Sequence, residues 1–154
     1  MQMRIRHAEL ADAPVIARFN AAMALETEHL ELDRERLLRG VEAVLLDASK
    51  GFYLLAEHEG VLAGQMMITY EWSDWRNAVF WWIQSVYVEP ACRRKGAFRG
   101  LYRHALNQAR ALPDVCGLRL YVETANEGAR RTYEALGMNP AAYDMFEVDF
   151  VIRR

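Results

Sequence analysis

The stretch VYVEPACRRKGAFRGLYRHAL, residues 86–106, constrains the fold more than any other. It joins a β-branched apolar run to a segment with helical periodicity, and Arg93, Arg94 and Lys95 crowd against Gly96 at the join. Pro90 has no N–H for a ladder, so the strand ends there. After Gly96, Phe98, Leu101, Tyr102, Ala105, Leu106, Ala109 and Leu112 recur at the spacing of one apolar helix face. A helix starting just after a strand turns its first unpaired N–H groups towards the loop, and the macrodipole adds to their preference for an anion. A glycine lets a phosphate approach the backbone closely, and flanking cations add charge. The junction suits a pyrophosphate, although a solvated basic loop would have the same composition. A P-loop fits poorly, because Gly100 is followed by Leu101 and Tyr102 rather than Lys and Ser/Thr. A dinucleotide fingerprint fits poorly too, because the junction comes late, after an antiparallel block.

The rest of the chain reads as one α+β domain over 1–154. MRIRHA suits a first strand. The next segment opens with Asp12 as N-cap and Pro14 in the first turn, followed by Val15, Ile16, Phe19 and Met23 at helical spacing. DRERLLRGVEAVLLDASKG predicts a second helix closed by Gly51. Glu59-Gly60 marks a hairpin, SDWRN a second turn, and AVFWWIQSVYV a third strand of that block. Beyond the junction helix come a strand in GLRLYVET, a short helix in NEGARRTYEALG closed by Gly137, and a final strand in YDMFEVDFVI. The predicted order is β-α-α-β-β-β-α-β-α-β.

With 154 residues, 53% hydrophobic and 26% charged, the chain can bury one continuous core. A net charge of −2 argues against bulk nucleic-acid binding. Cys92 and Cys116 have neither metal nor redox spacing and the four histidines are scattered, so no metal is expected. No apolar run approaches the ~18 residues of a membrane span, and the N-terminus has no signal-peptide core. The expectation is a cytoplasmic protein with no membrane partner.

Two segments together carry a resemblance. Arg93-Arg94-Lys95-Gly96-Ala97-Phe98 is similar to the Arg/Gln-x-x-Gly-x-Gly/Ala signature of the GCN5-related N-acetyltransferases, with Phe98 in place of the second small residue. Val88-Glu89-Pro90 resembles that family's Val-x-Pro strand end. Asn126, Ala129, Tyr133 and Gly137 match its Asn-x-x-Ala-x-x-x-Tyr-x-x-x-Gly helix, and the element order agrees along nearly the whole chain. Taken singly, Asn126 reads equally as an N-cap and Tyr133 as core.

The resemblance implies a mixed sheet whose parallel strands splay apart to admit acetyl-CoA. Backbone groups of Val86, Tyr87 and Val88 would pair with the pantetheine arm. The turn from Arg93 through Arg94, Lys95, Gly96, Ala97 and Phe98 to Arg99 would hold the pyrophosphate, with Asn126 and Ala129 also on the cofactor side. Tyr133 would protonate the leaving thiolate, and transfer to a primary amine would be direct, in a ternary complex. A small amine or a peptide is the expected acceptor, and a homodimer is among the expected states, since many relatives dimerise.

The acceptor amine must be neutral to attack. At pH 7 a lysine-type amine is neutral in under about a thousandth of molecules, and an α-amine in roughly a sixth. Relatives often carry a glutamate on the strand before the signature, where this chain reads FWWIQSV. Glu26, Glu28, His29, Glu71 and Asp74 are the remaining candidate bases acting through water, with Glu28 and His29 preferred because the resemblance implies that the first helices border the acceptor site. Trp72 and Trp75 are candidates for an acceptor pocket, the alternatives being core or interface. A non-catalytic acyl-CoA-binding module is the competing reading.

Overall fold

In the computed structural model, which describes residues 2–152, the chain divides into two compact units, 1–120 and 121–154. The first contains β1 (Arg4–His7), α1 (Ala13–Glu28), α2 (Arg34–Leu46), β2 (Phe52–His58), β3 (Val61–Ser73), β4 (Ala78–Val88), α3 (Ala97–Ala111) and β5 (Val115–Arg119). The sheet order is β1-β2-β3-β4-β5; β1 to β4 pair antiparallel, and β5 adds to β4 in parallel.

Local chemistry explains most of these boundaries. Glu59 and Gly60 both have positive φ (51° and 78°), the geometry whose twist suits a tight hairpin between β2 and β3. Asp33 caps α2 by accepting from the Arg36 amide at 3.0 Å. Alternating β2 residues then divide the core. Tyr53 and Leu55 pack with Ala13 and Ile16 of α1 and Val41 of α2. Ile5, opposite Ala56, turns to the other face and meets α3 at Gly100.

Three expectations change. Asp12 occupies the N-cap position of α1 but its side chain accepts no capping bond from the helix; its carboxylate instead accepts two bonds from Arg6, both 2.9 Å, and one from the Glu9 amide at 2.7 Å. Gly51 does not close α2, which ends at Leu46. Its φ of +147° and the Ile68 carbonyl, 2.2 Å from where a Cβ would sit, require glycine there instead. The strand expected in 117–124 runs over Val115–Arg119.

The second unit contains α4 (Glu127–Ala135). The Asn126 carboxamide accepts from the Ala129 amide at 3.1 Å. Gly137, at φ 97°, closes the helix, and the Met138 amide reaches back to the Tyr133 carbonyl. Within this unit by itself, residues 138–152 contain no strand, and YDMFEVDFVI has no partner strand there. No helix among the described residues is long and apolar enough to cross a membrane.

Arg6 also bonds Glu57 at 2.7 Å, so this half-buried triad ties β1 to both the entry of α1 and β2. The Arg6 guanidinium holds the Asp12 carboxyl below its usual range. Asp12→Ala should therefore cost about 1.5–3 kcal/mol in urea unfolding at neutral pH. Because the folded pKa is the depressed one, this contribution is complete above the ordinary carboxylate range and is lost as pH falls through the folded value. The gap between wild type and variant should narrow as acid protonates the carboxylate; a gap independent of pH would rule out the ion pair as its source.

Candidate active site

The site is built around an irregularity in β4. Met67 lies opposite Gln84 and Gln65 opposite Tyr87, so Ser85 and Val86 together face Met66 alone. Ser85 takes φ +49°, which a serine adopts only when held there. The holding group is Gln65, fully buried on β3, whose amide donates to the Ser85 carbonyl at 3.1 Å and to Asn20 Oδ1 of α1 at 2.8 Å. Asn20 in turn lies 3.5 Å from the Tyr53 hydroxyl. A buried polar chain thus fixes the bulge from beneath.

The parallel ladder stops short of this bulge. β5 pairs with β4 only over Val79–Trp82, and Arg119, opposite Trp82, is the last residue of β5. From Ile83 to Val88, roughly 20 Å of strand at about 3.3 Å per residue, the β5 side of β4 has no ladder within the first unit. Alternation decides which groups face that edge. The Glu89 amide donates to Ala63 on β3, and the Tyr87 carbonyl presses so close to Gly64 that a Cβ there would lie 2.7 Å away. Tyr87 therefore spends its backbone on the sheet, and the Val88 groups face outward.

A 3-10 turn at Pro90–Cys92 leads into the basic loop, where Arg94 (φ 63°) and Gly96 (φ 87°) are both left-handed. Gly96 occupies the N-cap position of α3 with no side-chain cap, and the first helical bond runs from the Gly100 amide to the Gly96 carbonyl at 2.9 Å. A Cβ on Gly96 would meet nothing within 4 Å, so the space above the first turn of α3 is open. Ala97 is buried, while Arg94, Lys95 and Arg99 are exposed. Lys95 Nζ donates to the Ala91 carbonyl at 2.9 Å. The Phe98 ring lies 6.3 Å from that of Tyr102, packed along the helix.

Arg93 departs from the expected role. Its Nε donates to the Val88 carbonyl at 2.9 Å, and its Nη2 to Glu26 Oε2 of α1 at 2.8 Å. Glu26 Oε1 accepts from the Tyr87 hydroxyl at 3.3 Å, and the Arg93 guanidinium lies 5.6 Å from the Tyr87 ring centre. Burial, then the nearby Glu26 and Glu89 carboxylates, raise the Tyr87 pKa, so the phenol stays protonated and donates. Arg93 clasps the end of β4 to α1 instead of pointing at the loop's open face. Glu26 was one of five acidic or basic candidates in the sequence, and only the folded pairing of Glu26, Tyr87 and Arg93 singles it out.

The other candidates separate. Glu28 ends α1, and His29 follows it in the left-handed conformation (φ 52°), returning its amide to the Leu25 carbonyl. His29 is thus explained by closing the helix beside Glu26. Trp72 and Trp75, 61% and 86% exposed, sit at the β3–β4 hairpin. Seven residues of β4 separate Ala78 from Ser85, about 23 Å, so the structure does not bring these rings to the bulge. Glu71 pairs with Arg119 on β5, and the Arg119 guanidinium lies 3.7 Å over Phe80; Asp74 accepts from the Trp75 amide in the hairpin turn. In the second unit, Tyr133 is half-buried on α4 and burial raises its pKa. Among the described residues no group of three His, Cys, Asp or Glu is arranged to hold a metal.

A bulged strand that parts from its parallel neighbour and runs into a glycine-started helix defines an acyltransferase of the GNAT type. The sequence matches the acetyltransferase (GNAT) family model over residues 16–138. A possible acetyltransferase from Clostridium difficile 630 is 44% identical, with 99% of this chain and 100% of that one covered and a TM-score of 0.90. A ribosomal-protein-alanine N-acetyltransferase from Brucella melitensis biovar Abortus 2308 shares the fold at 20% identity, covering 97% and 99%, TM-score 0.77. So does a predicted acetyltransferase from Clostridium acetobutylicum solved with acetyl-CoA, at 17% identity, 97% of both chains and TM-score 0.77. No curated protein matches the sequence. The chain belongs to the GNAT acetyltransferase family and is an acyltransferase.

The polar chain under the bulge is open to test. Gln65→Ala strips the Ser85 carbonyl and Asn20 of their buried partner and should destabilise the fold by about 1–3 kcal/mol. Gln65 Oε1 has no partner of its own, so Gln65→Met, which removes that orphan and fills the volume, should cost less than Gln65→Ala. A Gln65→Met variant as stable as wild type would mean that volume, not hydrogen bonding, holds the bulge.

Proposed function

We propose that the protein transfers the acetyl group of acetyl-CoA to a primary amine by direct attack in a ternary complex, with residues 1–154 acting as one catalytic domain. The observation that carries this reading is the unpaired edge of β4 leading into the open first turn of α3. A pantetheine arm has amide groups that pair like a strand, and a pyrophosphate needs N–H donors and room. The edge at Val86 and Val88 offers the first, and the turn around Gly96, Ala97, Phe98 and Arg99 the second. Arg94 and Lys95 supply charge beside it. Arg93 serves as the clasp, and Tyr87 as its buried phenol, so neither is assigned to the phosphates.

In the reaction the neutral amine nitrogen attacks the thioester carbonyl, the C–S bond breaks, the nitrogen gives up one proton to solvent water as the amide forms, and the sulfur leaves as thiolate. An outward N–H of the bulged strand polarises the carbonyl, a preorganised donor worth about 3 kcal/mol. Tyr133 gives its proton, or a strong hydrogen bond, to the departing sulfur. Its raised pKa keeps it protonated at neutral pH and makes it the weaker acid of the pair, since thiols ionise near about 8.5. Asn126 and Ala129 then act by starting the helix that carries Tyr133. Glu26 is the carboxylate best supported on the acceptor side, because Arg93 and Tyr87 fix its orientation at the end of β4. Glu28 lies two residues further on, at the last position of the same helix.

Calorimetric titration with acetyl-CoA tests the cradle. Wild type should bind in the micromolar range, and Gly96→Glu should abolish binding, because a carboxylate enters the open space with no clash to relieve it. The left-handed backbone adds only about 1–2 kcal/mol of strain, so the variant should remain folded by circular dichroism. Full affinity in a folded Gly96→Glu would end the phosphate assignment.

Tyr133→Phe should lower kcat about ten- to a hundredfold with an acceptor amine while leaving acetyl-CoA affinity unchanged. Steady-state kinetics decide it. An unchanged kcat would return Tyr133 to a packing role.

A further inference from the structure

Strand register places one further polar side chain beside the bulge. Tyr53 and Leu55 of β2 pack under α1 and α2, and Met67 of β3 joins that cluster. Residues directly opposite each other in a ladder share a face. Gln84, opposite Met67, and Tyr87, opposite Gln65, therefore stand on the α1–α2 face of β4. Gln84 is the last residue before the left-handed Ser85, and Tyr87, just beyond, reaches Glu26 of α1 from the same face. The Gln84 amide is half-buried, and its Nε2 donates to Thr69 Oγ1 at 2.5 Å. With Nε2 held by Thr69, Oε1 is left as an acceptor that receives no bond among the described residues.

The charges on this face decide what such an acceptor can do. From Gln65 to Glu71 on β3, and over the β4 residues opposite, the only carboxylate on that side is Glu71, and it is paired with Arg119. Glu26 comes to the end of the face from α1, but both its oxygens are engaged, Oε1 by the Tyr87 hydroxyl and Oε2 by Arg93. Tyr87 is held as a protonated phenol, so it can take no proton. Gln84 is neutral and cannot take one either. Glu28 and His29 close α1 beyond Glu26, and no bond ties either to this face. A carboxamide oxygen can hold an N–H of an amine that arrives neutral. It cannot strip the proton from an ammonium.

We propose that Gln84 holds the acceptor through Oε1, and that the acceptor is an α-amine, or another primary amine of similarly low pKa, and not a lysine-type amine. This inference rests on the acetyl-transfer reading above. Oε1 accepts one N–H of the neutral amine and so directs the nitrogen lone pair. As the C–N bond forms and the C–S bond breaks, the proton the nitrogen loses passes to water. With no side chain to deprotonate an ammonium, the enzyme works on the neutral fraction that solution supplies. At pH 7 that fraction is about a hundredfold or more larger for an α-amine than for a lysine-type amine.

Steady-state rates with acetyl-CoA test this on two probes: dipeptides with free α-amines, covering each type of N-terminal residue, and Nα-acetyl-lysine amide. At pH 7 kcat/KM for the best dipeptide should exceed that for the lysine amide about a hundredfold. It should rise with pH in proportion to the neutral fraction and level off only at the dipeptide's own pKa. Gln84→Met should lower kcat/KM for the dipeptide roughly two- to tenfold, the loss of one hydrogen bond, and leave the acetyl-CoA Kd unchanged. Turnover that favours the lysine amide would overturn the proposal. So would a wild-type profile that levels off below the acceptor's pKa, which would reveal a side-chain base, or a folded Gln84→Met with unchanged kcat/KM. The first two of these need only the wild-type chain. No turnover with either probe would remove the acetyl-transfer reading itself, and this inference with it.

Discussion

The hydrogen bond from Gln65 to the Ser85 carbonyl underlies most of what the first unit can do. Without it, Ser85 would have little reason to hold a positive φ. With it, one extra residue enters β4 on the stretch beyond Trp82, where the parallel ladder with β5 has ended. Gln65 can hold this position only because Asn20 accepts its second proton from the α1 side. A buried side-chain network of this kind is costly if incomplete, and here one atom, Gln65 Oε1, remains without a partner. The fold tolerates that orphan because the same amide holds the bulge at Ser85.

The clasp formed by Arg93 works on the far side of the same feature. Its charge is shared between the Val88 carbonyl at the end of β4 and Glu26 on α1. A lysine could reach one of these groups but not both, because only a guanidinium presents donors in a fixed fork. The arginine of the signature therefore secures the strand end, and in the proposed reading the phosphates are left to backbone N–H groups and to Arg94 and Lys95. This division also places Glu26 next to a fixed cation and a protonated phenol, which orients its carboxylate without hiding it.

Much of the fold was legible because it depends on local periodicity. The face of α3, the hairpin at Glu59-Gly60, the cap by Asn126 and the stop at Gly137 all follow from residues within a few positions of each other. The features that failed to show depend on distant partners. Asp12 looks like a cap until Arg6 captures its carboxylate, and Gly51 looks like a helix end until the Ile68 carbonyl comes close. The bulge needs β3 to be in register with β4, and the Glu26 clasp joins residues 67 positions apart. Trp72 and Trp75 lay near the right strand in sequence, but an antiparallel register puts the hairpin at the opposite end of β4 from the bulge.

The final segment shows the limit most clearly. Its alternation is as good as that of β3, yet a strand is defined by its neighbour and not by its own sequence. A helix such as α4 satisfies its backbone internally, so Asn126 and Gly137 suffice to specify it from 12 residues of chain. YDMFEVDFVI specifies only that one face must be covered.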